Sequence, residues 1–311
     1  MSPSRAARSV PEAATRARRR LLVGAAAAGA LLLAGCGTDP TAGDQVAADG
    51  EAQSHDDGTH AHPDDLTLEH VHGLGIDPAD DTLYAGTHHG LVRISPDGEL
   101  TRIADRVQDF MGFTVVGPER YLASGHPGEG QEGPADLGLL ESTDGGETWE
   151  TLSLAGEADF HALDAAGGVV YGYSGGRLLV SEDGLEWADR GSMRIADLAA
   201  DPADPQRVLA TTEAGLVVSE DAGGTFTAVP DAPLLVLVDI AAGGGSAVGV
   251  APDGTVFGSS DGERSWTERG SAGGPPEALT VDGQDVYVAV EGAVLASTDG
   301  GETFTEWYRE S

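Results

Sequence analysis

One short turn motif recurs through most of this chain and limits what it can fold into. Its fullest copy is Ser142-Thr143-Asp144-Gly145-Gly146-Glu147-Thr148-Trp149. Variants follow at Ser181–Trp187, Ser219–Phe226, Ser259–Trp266 and Ser297–Phe304. Their aspartates, Asp144, Asp183, Asp221, Asp261 and Asp299, are separated by 39, 38, 40 and 38 residues. A degenerate sixth copy at Asp97 lies 47 residues upstream of Asp144, the excess being a Gly/Glu-rich insertion around 128–136. A steady period near 40 residues marks a repeat architecture, in which each unit buries its apolar face against the next.

The motif has a local mechanism. An Asp carboxylate can accept backbone N–H groups a few residues on, while glycine supplies the positive φ that the turn needs. The closing Trp or Phe then drops between neighbouring sheets. This pattern resembles the Asp-box (BNR) repeat of the sialidase superfamily, in which such boxes join the third and fourth strands of propeller blades. The chain after residue 66 is similar to bacterial Asp-box lipoproteins described as glycosyl-hydrolase-like. The resemblance implies an all-β, six-bladed β-propeller of four-stranded antiparallel blades over residues 67–311. It also implies that the boxes are structural and lie on the side away from the functional face.

The two N-terminal segments stand outside that fold. Arg16, Arg18, Arg19 and Arg20 precede an apolar run from Leu21 to Ala34, the layout of a secretory signal over residues 1–35. Leu33-Ala34-Gly35-Cys36 resembles a lipobox, which implies lipidation of Cys36 and anchoring at the outer face of the cell membrane. Arg18-Arg19-Arg20-Leu21-Leu22 resembles a twin-arginine signal, with general secretion the other route. Cys36 is the only cysteine, so no internal disulfide can form. Residues 36–66 form an acidic linker with too little apolar surface to fold alone; it also carries His55, His60 and His62.

After removal of the signal, 11 basic residues face 51 acidic ones, net −40, with no lysine anywhere. That charge argues against nucleic acid and against direct docking on anionic headgroups. The partners it leaves open are a metal ion, a glycan or a surface protein.

Alternating apolar runs bounded by glycine-rich turns read as four short strands per period and no helix. In such a ring the first strand of each blade lines the channel, and its entry end lies on the face opposite the boxes. Alignment by the boxes sends His70, His72, His88, His89, His126 and His161 to one rim over blades one to three, joined by Met111. Imidazole with thioether suits copper, and imidazole with carboxylate suits zinc. The expected ligand set is therefore those six histidines and Met111, for copper or zinc.

An enzyme is the competing expectation. The sialidase resemblance implies an arginine cluster, an Arg-Ile-Pro motif, a tyrosine nucleophile with its glutamate, and an aspartate acid/base. The chain has no Arg-Ile-Pro, and the alignment puts only Arg194 clearly on the rim, with Arg106 nearby. One cation cannot grip a carboxylate in several bidentate contacts. Other glycosidases need two carboxyl groups roughly 5–10 Å apart, for which Asp109, Asp159 and Glu277 are the candidates, with Glu129 and Glu132 on the insertion. A surface interaction scaffold is the third expectation. Ring closure has no evident strand donor beyond residues 66–70.

Overall fold

The computed structural model describes residues 66–310, apart from 106, 129 and 263. The signal, Cys36, the three linker histidines, Arg106 and Glu129 fall outside the described residues. Blade one comprises β1 (Val71–Asp77), β2 (Thr82–Thr87), β3 (Gly90–Ile94) and β4 (Leu100–Arg102). Blade two follows with β5 (Asp109–Gly117), β6 (Arg120–His126), β7 (Leu139–Ser142) and β8 (Glu150–Ser153). Blade three holds β9 (Ala162–Ala166), β10 (Val169–Ser174), β11 (Arg177–Ser181) and β12 (Trp187–Ser192). Blade four holds β13 (Ile195–Asp201), β14 (Asp204–Thr212), β15 (Gly215–Ser219) and β16 (Thr227–Ala228). Blade five holds β17 (Leu237–Ile240), β18 (Ala247–Val250), β19 (Thr255–Ser259) and β20 (Trp266–Ser271). Blade six ends the chain with β21 (Pro276–Asp282), β22 (Asp285–Val290), β23 (Ala293–Ser297) and β24 (Thr305–Arg309).

Each sheet is antiparallel and keeps sequence order. The six first strands pack in a circle, each on the next, and β21 returns to β1. The all-β, six-bladed propeller expected from the repeats is the fold of the chain. Among the described residues no helix is long and apolar enough to cross a membrane.

Four of the Asp-boxes make the same lock. Asp144 Oδ1 accepts from Thr148 N at 2.9 Å and Oδ2 from Thr148 Oγ1 at 2.6 Å. Buried Ser142 Oγ accepts from Gly146 N at 2.8 Å and donates to Asp144 Oδ1 at 2.9 Å. Asp221, Asp261 and Asp299 repeat the carboxylate contacts on Thr225, Ser265 and Thr303. In the shortened third copy Asp183 Oδ1 takes both Leu185 N and Glu186 N at 2.9 Å. Gly146 has φ +88°, and a Cβ there would meet Leu91 Cδ2 of blade one at 2.3 Å, so the box fits only with glycine at that corner. The box aromatics fill the seams between blades: Trp149 packs with Tyr84 and Leu91 of blade one, and Trp187 against Leu122 and Leu139 of blade two. The degenerate copy differs. Its turn is held by Ser95, whose Oγ accepts from Glu99 N at 3.0 Å, and no hydrogen bond to Asp97 is found among the described residues.

Residues 66–70 do not supply a strand. Instead Leu68, 2% exposed, packs with Val92 and Ile94 of blade one and with Ala278, Ala289 and Val294 of blade six. Glu277 Oε2 accepts from Val71 N at 3.2 Å across the same seam. Side-chain burial therefore closes the ring, and no strand need be exchanged between the termini.

Candidate metal centre at the channel mouth

The first strands of blades one, two, four and six open with a β-bulge. The register shifts fall between Val71 and Gly73, Phe110 and Gly112, Ile195 and Asp197, and Pro276 and Ala278. A bulge inserts one unpaired residue and re-aims its side chain. The inserted residues are His72, Met111, Ala196 and Glu277, and of these His72 and Glu277 line the channel cavity. In blade three His161 stands just before β9, its backbone N–H donating to Tyr173 O at 3.0 Å.

His72 meets His88, which comes from the turn between β2 and β3. Their Nε2 atoms are 3.2 Å apart, with ring centroids 4.5 Å apart and planes at 77°. His88 Nδ1 lies 2.5 Å from Asp109 Oδ1, at the head of β5 in the next blade. His72, His88 and Asp109 each offer a ligand atom within 4.8 Å of the others, and the group could hold a metal ion. His70, exposed at φ +51°, adds a ring edge-on to His88 at 5.4 Å.

Electrostatics keep His72 ready to act as a ligand. Burial, and next the neighbouring His88, hold its pKa down to about 4, so the imidazole is neutral at ordinary pH. Metals bind the neutral ring. Asp109 on His88 Nδ1 fixes the tautomer that leaves Nε2 facing His72, the orienting role carboxylates play behind metal-bound histidines.

A second cluster adjoins the first. Asp159 Oδ2 is 2.7 Å from His161 Nε2 and 3.4 Å from His126 Nε2, and its Oδ1 is buried without a partner. The hydrogen bond that His161 Nε2–H donates to Asp159 raises the pKa of His161. His126 is tied through Nδ1 to Ala135 O at 2.9 Å. His89 is exposed, and its Nε2 lies 3.7 Å from exposed Glu69. Met111 is half-buried at its bulge. Arg194 is spent on Glu213 at 2.8 Å, both exposed.

Below the mouth the channel is a cavity of about 420 Å³, with His72, His161 and Glu277 along its wall. Deeper on the same wall stand Asp164, Asp197 and Asp239, which the sequence reading did not single out. Each accepts a backbone N–H from the next blade's first strand: Ala200 at 2.8 Å, Val238 at 2.9 Å and Val281 at 2.7 Å. Burial raises all three pKa values, that of Asp197 to about 7. One signal could have found them: an Asp flanked by apolar residues within three successive first strands.

No known family profile matches the sequence, and no curated relative does. Solved structures share the fold. A GH74 xyloglucanase from Xanthomonas campestris matches at 18% identity and TM-score 0.52, over 78% of this chain and 46% of that one. A gluconolactonase, XC5397, from Xanthomonas campestris matches at 14% identity and TM-score 0.57, over 74% and 86%. A chain of the nidogen/laminin complex matches at 13% identity and TM-score 0.55, over 69% and 88%. This chain thus spans less than half the xyloglucanase. At these identities the likeness concerns the propeller alone.

Proposed function

We propose that this chain is an exported metal-binding propeller, held by lipid on Cys36 at the outer face of the cell membrane, with a copper-type site at its channel mouth. The observation that carries the reading is the facing of His72 Nε2 and His88 Nε2 at 3.2 Å, backed by Asp109 on the far nitrogen of His88. Two imidazoles that close share either a proton or a metal. A metal replaces the shared proton at little structural cost, because the rings already converge. His70 and His161 are the next candidates, and a ligand set of imidazoles, with the thioether of Met111 at the β5 bulge, favours copper over hard cations. Zinc is the second choice.

Titrating the purified protein with Cu(I) under reducing conditions, and separately with Zn(II), tests the site. His72→Ala and His88→Ala should each weaken binding at least ~tenfold. Unchanged affinity in a His72→Ala, His161→Ala double variant would sink the rim assignment.

A second reading is cleavage of a surface glycan, drawn from the fold shared with the xyloglucanase. Against it, the candidate carboxylates are already engaged: Asp109 with His88, Asp159 with His161, and Glu277 with Val71 N. A panel of chromogenic glycosides, with Asp109→Asn and Asp159→Asn controls, decides between the two. The third reading, a surface interaction scaffold, would leave both assays blank.

A further inference from the structure

His72 is held from both neighbouring blades through the residues on either side of it. The register of β1 on β2 jumps from Val71 opposite Thr87 to Gly73 opposite Gly86, so His72 has no partner in the ladder and β2 does not fix its backbone. On one side, buried Val71 donates its N–H to Glu277 Oε2 of blade six at 3.2 Å. On the other, a Cβ on Gly73 would lie 2.6 Å from Phe113 O, so blade two presses closely on that position. The approach to the bulge is fixed as well. Leu68 is buried in the seam with blade six, and His70, between Leu68 and Val71, takes φ +51°. A non-glycine residue keeps that conformation only where its surroundings impose it.

Blade three repeats the arrangement with a different side chain. Phe160, the residue before His161, donates its N–H to Ser124 Oγ of blade two at 2.9 Å. His72 and His161 both line the channel cavity, and each follows a residue whose N–H is held by the preceding blade. The two acceptors, a glutamate and a serine, share little chemistry beyond accepting that N–H. The recurrence therefore ties the contact to the placement of the histidine that follows.

We propose that Glu277 is a positioning residue for the metal centre: by holding the Val71 N–H it fixes the bulge that presents His72 to His88, so closure of the ring between the last blade and the first sets metal affinity. The groups that converge for a metal are His72, His88 and Asp109, and Glu277 acts on the backbone behind one of them. Groups of this kind, one step removed from the ligands, govern affinity by orienting them. Without the carboxylate the buried Val71 N–H loses its acceptor, a cost the chain avoids by turning the peptide elsewhere, and His72 moves with it. The consequence for affinity rests on the metal reading above; the effect on the imidazoles does not.

The test compares Glu277→Leu, which fills the same space without an acceptor, with Glu277→Gln, which keeps one. Long-range proton–nitrogen NMR spectra of the metal-free protein report the imidazoles, their signals identified through His72→Ala and His88→Ala. Glu277→Leu should shift the His72 and His88 signals and weaken Cu(I) binding by roughly tenfold or more, and Glu277→Gln should restore both. A lower melting temperature in Glu277→Leu with unmoved imidazole signals would show a structural role alone and overturn the proposal. Parent-like imidazole signals in Glu277→Gln with Cu(I) binding as weak as in Glu277→Leu would make Glu277 a ligand, which overturns it too. A parent that binds no Cu(I), while the imidazole signals still move in Glu277→Leu, would sink the metal reading and support the positioning role.

Discussion

Asp109, at the head of β5 in blade two, lies 2.5 Å from His88, in the first hairpin of blade one. The contact crosses the seam between two sheets, so the rim imidazoles are oriented only when the blades are docked. Asp109→Asn should keep the fold but weaken metal binding by about 10–100-fold, the usual cost of losing a carboxylate behind a ligating histidine. Calorimetric titration of Cu(I) and Zn(II) into parent and variant measures this.

The buried channel aspartates should make stability fall as pH rises from about 4 to about 7, while His72, held down to about 4 in the folded chain, pulls the other way below its ordinary value. Asp164, Asp197 and Asp239 have raised pKa values in the folded chain, Asp197 reaching about 7. A group with a raised folded pKa holds its proton after the unfolded chain has released it, so unfolding gains over that interval. The Asp-box carboxylates act in the opposite sense. Hydrogen bonds hold them below their ordinary value, Asp261 at about 2, so their contribution is lost as pH falls through that region. Urea melts at pH 5 and pH 8 should show the higher midpoint at pH 5, and Asp197→Asn should flatten the difference.

Ser142→Ala removes the buried hydroxyl that accepts from Gly146 N and steadies Asp144. A loss of about 1–2 kcal/mol is expected, because the Gly146 N–H is left without its partner. Metal affinity should not change, since the box lies at the β7–β8 turn. Thermal melts with and without copper check both parts.

Leu68→Ala opens the seam between the first and last blades. A cost of about 2–4 kcal/mol is expected for a leucine buried this fully. Because this seam alone joins the chain's ends, hydrogen exchange should rise first in β1 and β21. Protection lost evenly across all blades would contradict the closure described above.

The blade count, the strand order and the five strong boxes were legible in the residues, because a turn lock is local. Ser, Asp, Gly and Thr within eight positions satisfy one another whatever surrounds them. That His72 and His88 come together was legible too, since a fixed period converts position in the chain into position on the ring. The partners of those histidines were not. That Asp109 of blade two orients His88, that Leu68 rather than a borrowed strand closes the circle, and that Asp164, Asp197 and Asp239 line one channel all depend on contacts between blades. Such contacts are set by the docking of sheets and by bulges a single residue long, and a linear pattern of turns carries no record of either.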